Sequence, residues 1–352
     1  MRVLFCINGL GRGGAEHSFV NDSAELVRRG HDVHVCILYG ACGDYPLANT
    51  LDPAITRHAL RARSLWDVGA FRRLRRIVTQ NAYDVVYTTL NDANMFTRFA
   101  LVGLSSRLVR REANLLAKKP RWQRVFDVLF DWRTHAIIAV SQQIASELAR
   151  LMLWKRGSVH VLPNAVALGE RADVTHEPPI GVCVGSLTPK KNHAVLVEAF
   201  IRARAAGLNA RLDIIGEGTE RPKLESLIAA HHATEHVRLV GELPHAEVQV
   251  AYAHAQFFAL PSLWEGSPNV LLEAMAHGLP ALVSDIPSMR EIAGEYAALY
   301  MSPTSVEDWV RGLQKIADSS LRASMGLSAY ERVAQKFDPM RRFDKLELLL
   351  RG

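Results

Sequence analysis

The sequence is poor in cysteine, and its cysteines lack the spacing of metal ligands. No C-x-x-C pair occurs among the four, which excludes the common structural zinc motifs. Three of them stand in or beside apolar runs, where a small buried thiol is expected. The four are Cys6, Cys36, Cys42 and Cys183.

Long apolar runs and compositional bias are also missing. No stretch approaches the roughly 18 apolar residues that span a membrane, and the apolar start, residues 1–7, is too short for a signal peptide. We expect that start to be a strand and the chain to be cytoplasmic. Of the 352 residues, 49% are hydrophobic and 22% are charged. This excludes disordered and fibrous proteins and predicts one or two globular domains.

Motifs of nucleic-acid-binding proteins are absent as well. The sequence has no zinc-finger spacing, no RNP-like pattern of aromatic and basic residues and no heptads after a basic region, so we expect no nucleic-acid partner. It also has no Asp-x-Asp motif, and we expect no metal requirement.

Positive charge is abundant in one half only. Residues 1–170 carry 23 lysines and arginines against 14 aspartates and glutamates, a net charge of +9, and the remainder carries −3. The excess concentrates at residues 57–76 and 107–133. Such a field favours phosphates or an anionic membrane surface, although a solvated helix face would explain any single arginine. Residues 121–126 fit an interfacial segment and a buried amphipathic helix equally well.

Strand-like and helix-like segments alternate along both halves. This alternation predicts parallel sheets covered by helices on both faces, an α/β fold. The expected strands are residues 3–7, 33–38, 84–87 and 136–140, then 180–184, 211–215, 237–240, 257–260 and 280–283. The expected helices are near residues 15–29, 194–206, 222–230, 269–277 and 340–350.

A glycine-rich loop follows the first expected strand. Gly9, Gly11 and Gly14 match the G-x-G-x-x-G pattern of dinucleotide-binding folds. That pattern also requires an acidic residue at the end of the second strand, whereas Asp32 stands before this strand. An NAD site is therefore disfavoured, and two interpretations stay open: an anion site at the helix N-terminus or a tight turn without a ligand.

The segment PSLWEGSPNVLLEAM is the most informative in the sequence. Ser267 followed by Pro268 predicts a helix that begins with a hydroxyl N-cap. The backbone amides of the next three residues would then form an anion site at the positive end of the helix dipole. Those residues are Asn269, Val270 and Leu271.

Two carboxylates flank this expected helix start. Glu273 is the only charged residue in an apolar helix, and its burial would be costly without a hydrogen-bond partner. A capping box does not explain it, because it does not occupy the third helical position. Glu265 follows the strand of residues 257–260, at the sheet edge where α/β folds bind ligands. We infer a site for a nucleotide diphosphate that carries a polyol, although two structural glutamates would also fit.

Two basic residues accompany these carboxylates. Lys191 follows the strand of residues 180–184 and precedes a helix, where it would neutralise phosphate charge. Arg221 has a similar position after Gly216-Glu217-Gly218. Each is a weak indicator alone, because lysines and arginines before helices are commonly surface residues.

These segments together resemble the retaining glycosyltransferases of family 4, which have the GT-B architecture of two facing Rossmann-like domains. The family's E-x7-E element is similar to residues 265–273, and its N-terminal loop resembles Gly13-Gly14-Ala15-Glu16. Further matches span nearly the whole chain. They are Val140-Ser141, Leu162-Pro163-Asn164, Gly216-Glu217-Gly218, Val240-Gly241 and Ser284-Asp285.

The resemblance implies a domain organisation and an activity. An N-terminal acceptor domain would cover residues 1–168, a linker 169–178 and a nucleotide-sugar domain 179–336, while a terminal helix at 337–352 would pack back on the first domain. The enzyme would move a hexose or N-acetylhexosamine from a nucleotide-sugar donor, UDP rather than GDP, and would need no cofactor. The acceptor would be a hydroxyl of a glycan or a lipid-linked molecule in cell-surface polysaccharide or lipopolysaccharide biosynthesis.

The same resemblance implies roles for individual residues. Glu273 would hold the donor ribose, Glu265 the hydroxyls of the transferred sugar and Lys191 the diphosphate, with Glu265 and Lys191 as the catalytic residues. Backbone near Leu243 would contact the base. The expected donor-binding residues are Gly13, Gly14, Lys191, Arg221, Leu243, Glu265, Ser267, Asn269, Val270, Leu271 and Glu273.

Two positions depart from the family pattern. Ser186 stands where the family commonly has an arginine, so we expect Arg221 to supply that diphosphate contact. Asn91 and Asp92 stand where the family often has a histidine, and we place them on the acceptor side by position only. A lipid-linked acceptor would bring the basic half to the cytoplasmic face of an anionic membrane.

Two other functions share this architecture. A nucleotide-sugar 2-epimerase would need a set of histidines and carboxylates that is not evident here. A non-catalytic relative that binds nucleotide sugars would not need both glutamates and the lysine. Donor cleavage measured with and without an acceptor distinguishes both from a transferase.

Overall fold

The computed structural model describes all 352 residues of the chain. They form two units, Met1–Asn164 together with Met340–Gly352, and Ala165–Pro339. Each unit contains a parallel β-sheet with helices packed against it. The α/β fold class expected from the alternating segments is confirmed.

The sheet of the first unit has seven parallel strands. They are β1 (Arg2–Ile7), β2 (Asp32–Ile37), β3 (Thr56–Ala59), β4 (Val85–Thr89), β5 (Arg107–Glu112), β6 (Ala136–Ala139) and β7 (Val159–Val161). Their order in the sheet is β3-β2-β1-β4-β5-β6-β7. The helices are α1 (Gly14–Arg28), α2 (Val68–Asn81), α3 (Asn91–Ala100), α4 (Arg121–Phe130) and α5 (Gln142–Leu151). Because helices cover both faces, β1 and β4 are buried along almost their whole length.

The sheet of the second unit has six parallel strands. They are β8 (Ile180–Val184), β9 (Arg211–Ile215), β10 (Val237–Gly241), β11 (Phe257–Leu260), β12 (Ala281–Ser284) and β13 (Ala298–Met301), in the order β10-β9-β8-β11-β12-β13. The helices are α6 (His193–Ala205), α7 (Arg221–Ala230), α8 (His245–His254), α9 (Asn269–Ala276), α10 (Pro287–Ala293), α11 (Val306–Ile316) and α12 (Ser319–Lys336).

The last helix, α13 (Pro339–Arg351), packs in the first unit although it follows the second in sequence. Phe343, Leu346 and Leu350 join the core beside β1 and β2. Arg342 donates to both carboxylate oxygens of Asp22, at 2.5 and 3.0 Å. This buried ion pair and the apolar contacts fix the helix on the first unit.

Four of the eight lysines and arginines at residues 107–133 are buried. β5 places Arg110 and Arg111 inside the protein, at 0% and 1% exposure. Arg110 donates to Asp131 at 3.0 Å and to Glu112 at 3.0 Å. The expectation that this run attracts phosphates or a membrane is wrong for these two arginines, because both are buried: Arg110 is paired with carboxylates, and Arg111 donates to the side-chain oxygen of Asn164 at 2.6 Å.

Three features of the chain bear on ligand binding. No helix combines the length and the apolar composition that a membrane crossing requires. No group of three or more histidine, cysteine, aspartate or glutamate side chains is arranged to hold a metal ion. All four cysteines are free, and three are buried as small apolar thiols commonly are.

Candidate functional site

The carboxyl ends of β8 and β11 lie side by side in the second unit. The strand order changes direction between them, since β9 and β10 continue on one side and β12 and β13 on the other. Open α/β sheets bind ligands at such a switch point. The loops that follow these two strands carry Lys191 and Glu265.

Backbone contacts hold the loop after β8 in place. The amide of Gly185 donates to the carbonyl of Ile215 at 3.0 Å, and the amide of Leu187 donates to the carbonyl of Glu217 at 2.8 Å. Gly216 has a φ of 143°, and a Cβ there would lie 2.1 Å from the Gly185 carbonyl oxygen. Only glycine fits at this position, so the loops after β8 and β9 pack backbone against backbone.

Glu265 is buried, at 6% exposure, and is held by three side chains. Its Oε1 accepts from Lys191 Nζ at 2.7 Å and from Ser262 Oγ at 2.9 Å, and its Oε2 accepts from Lys190 Nζ at 2.8 Å. Burial alone would raise the pKa of Glu265, but the charges of Lys191 and Lys190 outweigh burial and lower it. Two ammonium groups against one carboxylate leave this cluster positive, which suits an anionic ligand.

Glu273, on α9, is only partly buried and has weaker partners than Glu265. The hydroxyl of Tyr252 lies 3.4 Å from its Oε2 and equally 3.4 Å from the carbonyl of Val270, so its one donor is shared and distant. Burial raises the pKa of Glu273, and the charge of His245 and the Tyr252 contact offset only part of this effect. Glu265 and Glu273 therefore have pKa values shifted in opposite directions.

The start of α9 differs from the expectation. The helix begins at Asn269 with Pro268 at the N-cap position, so the expected N-cap role of Ser267 is wrong by one residue. The Ser267 hydroxyl is buried without a hydrogen-bond partner. The amide of Leu271 donates to the Pro268 carbonyl at 3.2 Å, and it is therefore not a donor to an anion. The amide of Val270, one position earlier, has no acceptor within the helix.

Arg221 begins α7 and is already paired. Its Nε donates to Glu225 at 2.8 Å, another of its nitrogens donates to Glu217, and a third donates to the carbonyl of Leu239 at 3.3 Å. A contact to a diphosphate would require Arg221 to leave these carboxylates. Leu243 lies in the loop after β10, and its side chain packs on the core of this unit.

The glycine loop of the first unit lies beside a carboxylate. Gly13 is the N-cap residue of α1, which begins at Gly14. A Cβ on Gly13 would lie 2.4 Å from Oε2 of Glu16, so this carboxylate covers the loop. Burial raises the pKa of Glu16. An anion at Gly13 would meet a like charge unless Glu16 is protonated or moves away.

Asn91 and Asp92 form the first turn of α3. Asp92 accepts a hydrogen bond from the hydroxyl of Tyr39 at 2.9 Å, and the Asn91 amide donates to Gln123 at 3.3 Å. The side-chain oxygen of Asn91, Oδ1, is buried without a hydrogen-bond partner. Both residues belong to the first unit, whereas the lysines and glutamates described above belong to the second.

Three side chains of the site have no clear signal in the sequence. Lys190 binds the same carboxylate as Lys191, and only their adjacency hints at a shared role. Tyr252 approaches its carboxylate from α8, 21 residues earlier in the chain. His193 is buried with neither ring nitrogen paired, and burial, then the charge of Lys191, lower its pKa to about 4.

Both halves of the chain match glycosyltransferase family models. Residues 170–332 match the model described as Glycosyl transferases group 1, and residues 12–170 match the model described as Glycosyltransferase Family 4. The chain belongs to these glycosyltransferase families. The expected resemblance to a family 4 glycosyltransferase is confirmed, whereas the retaining mechanism and the roles of an E-x7-E element stay predictions.

Two curated relatives match part of this glycosyltransferase. It is 32% identical over 160 residues to the amylovoran biosynthesis glycosyltransferase AmsK of Erwinia amylovora, covering 44% of this chain and 38% of that protein. It is 31% identical over 191 residues to the N-acetylgalactosamine-N,N'-diacetylbacillosaminyl-diphospho-undecaprenol 4-alpha-N-acetylgalactosaminyltransferase of Campylobacter jejuni, covering 51% and 50%. The chain thus spans half or less of the length of these two relatives.

A solved structure matches the glycosyltransferase over its whole length. HepE from Anabaena, crystallised with UDP-glucose, superposes with a TM-score of 0.86 over 99% of both chains at 17% sequence identity. At this identity the likeness shows the fold alone. It confirms the GT-B fold with its two Rossmann-like domains.

The two carboxylates should affect stability in opposite directions. Glu273→Gln removes a carboxylate that burial disfavours, and we expect the Tm at neutral pH to rise by about 2 °C. Glu265→Gln breaks two contacts with lysines, and we expect the Tm to fall by about 4 °C. Scanning calorimetry of both variants beside the wild type measures these shifts.

The stability differences between these variants and the wild type depend on pH. Glu273 has a raised pKa, so its stabilising contribution is present below the unfolded value of 4.5 and is lost as pH rises through the folded value. Glu265 has a lowered pKa, so its contribution is present above 4.5 and is lost as pH falls through the folded value. Both Tm differences should shrink in acid. A Glu273→Gln variant less stable than the wild type at neutral pH would contradict this assignment.

Proposed function

We propose that the chain is a retaining glycosyltransferase that moves a hexose or N-acetylhexosamine from a nucleotide-sugar donor, UDP rather than GDP, to a hydroxyl acceptor. The observation that carries the proposal is the 2.7 Å contact between Lys191 and Glu265 at the switch point between β8 and β11. A positive cluster beside a carboxylate matches the two parts of such a donor, a diphosphate and a polyol. The UDP-glucose bound to HepE supports the choice of UDP.

The acceptor is proposed to be a glycan or a lipid-linked molecule. The printed names of the two relatives support this class, since one acts in amylovoran biosynthesis and the other on a diphospho-undecaprenol substrate. The product would belong to cell-surface polysaccharide or lipopolysaccharide. Asn91 and Asp92 remain our proposed acceptor-side residues.

Glu273 is proposed to bind the ribose of the donor. The hydroxyl of Tyr252 donates to it at 3.4 Å, so most of the acceptor capacity of the carboxylate is unused. Two ribose hydroxyls would donate to it and would offset the burial that raises its pKa.

Lys191 is proposed to exchange partners when the donor binds. Cleavage of the sugar–phosphate bond places negative charge on the leaving diphosphate. Lys191 would turn from Glu265 to that diphosphate, while Lys190, 2.8 Å from the other carboxylate oxygen, would keep Glu265 ionised and oriented toward the sugar hydroxyls. The amide of Val270 and the unpaired hydroxyl of Ser267 would add two donors to the phosphates.

Retention requires no strong general base. If the acceptor hydroxyl attacks on the face from which the diphosphate leaves, a departing phosphate oxygen takes the acceptor proton while the new C–O bond forms. The chain then needs to orient both substrates and to stabilise the leaving charge, which is the part given to Lys191 and the start of α9. No metal and no further cofactor enter this scheme.

The remaining donor contacts stay proposals. Gly13 and Gly14 would bind a phosphate only after Glu16 moves away or becomes protonated. Arg221 would reach a phosphate only after leaving its carboxylate partners. Asn269 begins α9 beside the phosphate donors, and backbone near Leu243 would contact the base.

The site of action is proposed to be the cytoplasmic face of a membrane, because a lipid-linked acceptor resides there. Residues 121–126, chosen from the sequence as an interfacial segment, begin α4. Their exposure is uneven: Trp122 and Val125 are more than half exposed, whereas Phe126 is buried.

The test of the proposed function begins with thermal stabilisation by a panel of UDP- and GDP-sugars. We expect a UDP-sugar to raise the Tm. Proton NMR of the glycoside made from that donor should show the anomeric configuration of the donor. An inverted product contradicts retention, UDP release that no acceptor accelerates contradicts a transferase, and stabilisation by GDP-sugars alone contradicts the donor.

Glu273→Ala should weaken donor binding by about 30-fold, the effect of losing hydrogen bonds to a charged group. Titration calorimetry with the donor selected above measures the Kd. Glu247→Ala, at an exposed glutamate on α8, is the matched control and should bind as the wild type does. A Kd for Glu273→Ala within twofold of the wild type removes the assigned role.

Lys191→Ala should reduce kcat at saturating donor by about 100-fold and should change the Kd of the donor much less, because its charge acts on the leaving group. Lys190→Ala should reduce kcat by less, since it acts through Glu265. Lys223→Ala, at an exposed lysine on α7, is the control for loss of charge. Equal kcat values for Lys191→Ala and Lys223→Ala would contradict the exchange of partners.

A further inference from the structure

The first unit exposes an unusual number of tryptophans. Trp66, Trp122, Trp132 and Trp154 are all of its tryptophans, and each is more than half exposed, whereas Trp309 of the second unit is fully buried. Tryptophan is highly buried on average in globular proteins. Exposed tryptophans are enriched where a protein meets the boundary between lipid and water.

One stripe of α4 carries exposed apolar side chains. Trp122, Val125 and Leu129 follow each other at intervals of three and four residues, so they lie on one side of the helix, and each is more than half exposed. On the inner side, Asp127 accepts from the buried Arg98 at 2.5 Å. The orientation of α4 is therefore set by a buried ion pair, and the exposed stripe is a fixed feature of the surface.

Ring contacts join this stripe to the loop before α2. The Trp66 ring lies 5.9 Å from the Phe99 ring, which in turn lies 5.3 Å from the Phe130 ring at the end of α4. Trp66 and Phe130 are both exposed. We call the surface formed by the stripe and these rings the aromatic face; it consists of Trp66, Phe99, Trp122, Val125, Leu129 and Phe130.

Two hollows with arginine walls adjoin the aromatic face. One, of about 380 Å³, is lined by Arg121, Arg124, Val125, Val128, Leu129 and Leu151. The other, of about 780 Å³, is lined in part by Arg61, Arg63, Arg73 and Asp67, and the loop that carries Trp66 forms one side of it. Each hollow places guanidinium groups beside apolar or aromatic side chains.

The segments that form the aromatic face carry more arginines than carboxylates. Asp67 is the single carboxylate in residues 61–80, and its two oxygens accept from the amides of Ala70 at 2.9 Å and Arg63 at 3.0 Å. On α4 the single carboxylate is Asp127, which is buried. Asp67 lies 3.8 Å from Arg73, but one carboxylate against six arginines leaves residues 61–80 positively charged.

We propose that the aromatic face docks the first unit on an anionic lipid bilayer. The rings and aliphatic side chains would enter the headgroup region, and the arginines would bind lipid phosphates, for which the guanidinium fork is well suited. The inference rests on the proposed function for its purpose, access to a lipid-linked acceptor, but the surface itself does not depend on the transfer reaction. A second copy of the chain on this face would bring like charges together, which disfavours it as the occupant.

The test is sedimentation of the full chain with vesicles of phosphatidylcholine alone or mixed with phosphatidylglycerol. We expect binding to the anionic vesicles that weakens with salt. Trp122→Ser combined with Leu129→Ser should reduce the partition coefficient about tenfold or more. Leu348→Ser, at an equally exposed leucine on α13, is the matched control and should bind as the wild type does.

A charge variant separates lipid electrostatics from apolar contact. Arg121→Gln combined with Arg124→Gln should lower binding to anionic vesicles about tenfold and flatten its dependence on salt. Wild-type protein that ignores anionic vesicles would overturn the proposal. So would a dimer, seen by analytical ultracentrifugation, that the Trp122→Ser and Leu129→Ser changes dissociate while vesicle binding persists.

The experiments distinguish an error in the membrane-docking proposal from an error in the proposed transferase function. Thermal stabilisation by the UDP-sugar depends on the second unit and should be the same in all these variants. A variant that loses vesicle binding but is still stabilised by the donor has lost only the lipid-binding surface. Wild-type protein that is stabilised by the donor and does not bind anionic vesicles removes the docking inference and leaves the transferase.

Discussion

The ionised carboxylate of Glu265, buried between two lysines, is the interaction on which the site depends. A buried carboxylate is tolerated only with compensating partners, and Lys190, Lys191 and Ser262 supply three. Because the lysines follow β8 and Glu265 follows β11, this contact ties together the loops on both sides of the switch point. Two lysines against one carboxylate also leave a net positive charge at the sheet edge. An anionic ligand there would compete with Glu265 for one of the two ammonium groups.

Glu265 and Glu273, which lie in one short segment, have different hydrogen-bond partners. Glu265 precedes α9 and is held by three side chains. Glu273 lies on α9, and its hydrogen bond from the Tyr252 hydroxyl is long, at 3.4 Å. Environments that move two pKa values apart commonly mark different chemical roles. Here the paired carboxylate is suited to stay ionised throughout, and the poorly paired one is suited to gain its hydrogen bonds from a ligand. The poor pairing costs stability in the free protein, as binding sites frequently do.

Sequence reasoning located most strands that carry the site and few of the contacts within it. The strands at residues 180–184, 211–215 and 257–260 have the predicted bounds, because each is a short apolar run between turn residues. The helix start after Pro268 was misplaced, since a serine before a proline resembles an N-cap that the backbone does not adopt. β5 was missed because three of its six residues are arginines, which are rarely buried. Tyr252 and Lys190 depend on tertiary contacts that no local pattern encodes.

The arginines of the first unit show why the charge of a segment does not predict its surface. Arg98, Arg110 and Lys119 are buried with Glu112, Asp127 and Asp131, three cations with three carboxylates. These charges cancel inside the protein, so the excess of nine in residues 1–170 must reside in other residues. Residues 57–76 contain a single carboxylate and cannot cancel their seven arginines in this way. The number of carboxylates near a basic run, more than its number of arginines, therefore decides whether the run becomes a core network or a charged surface.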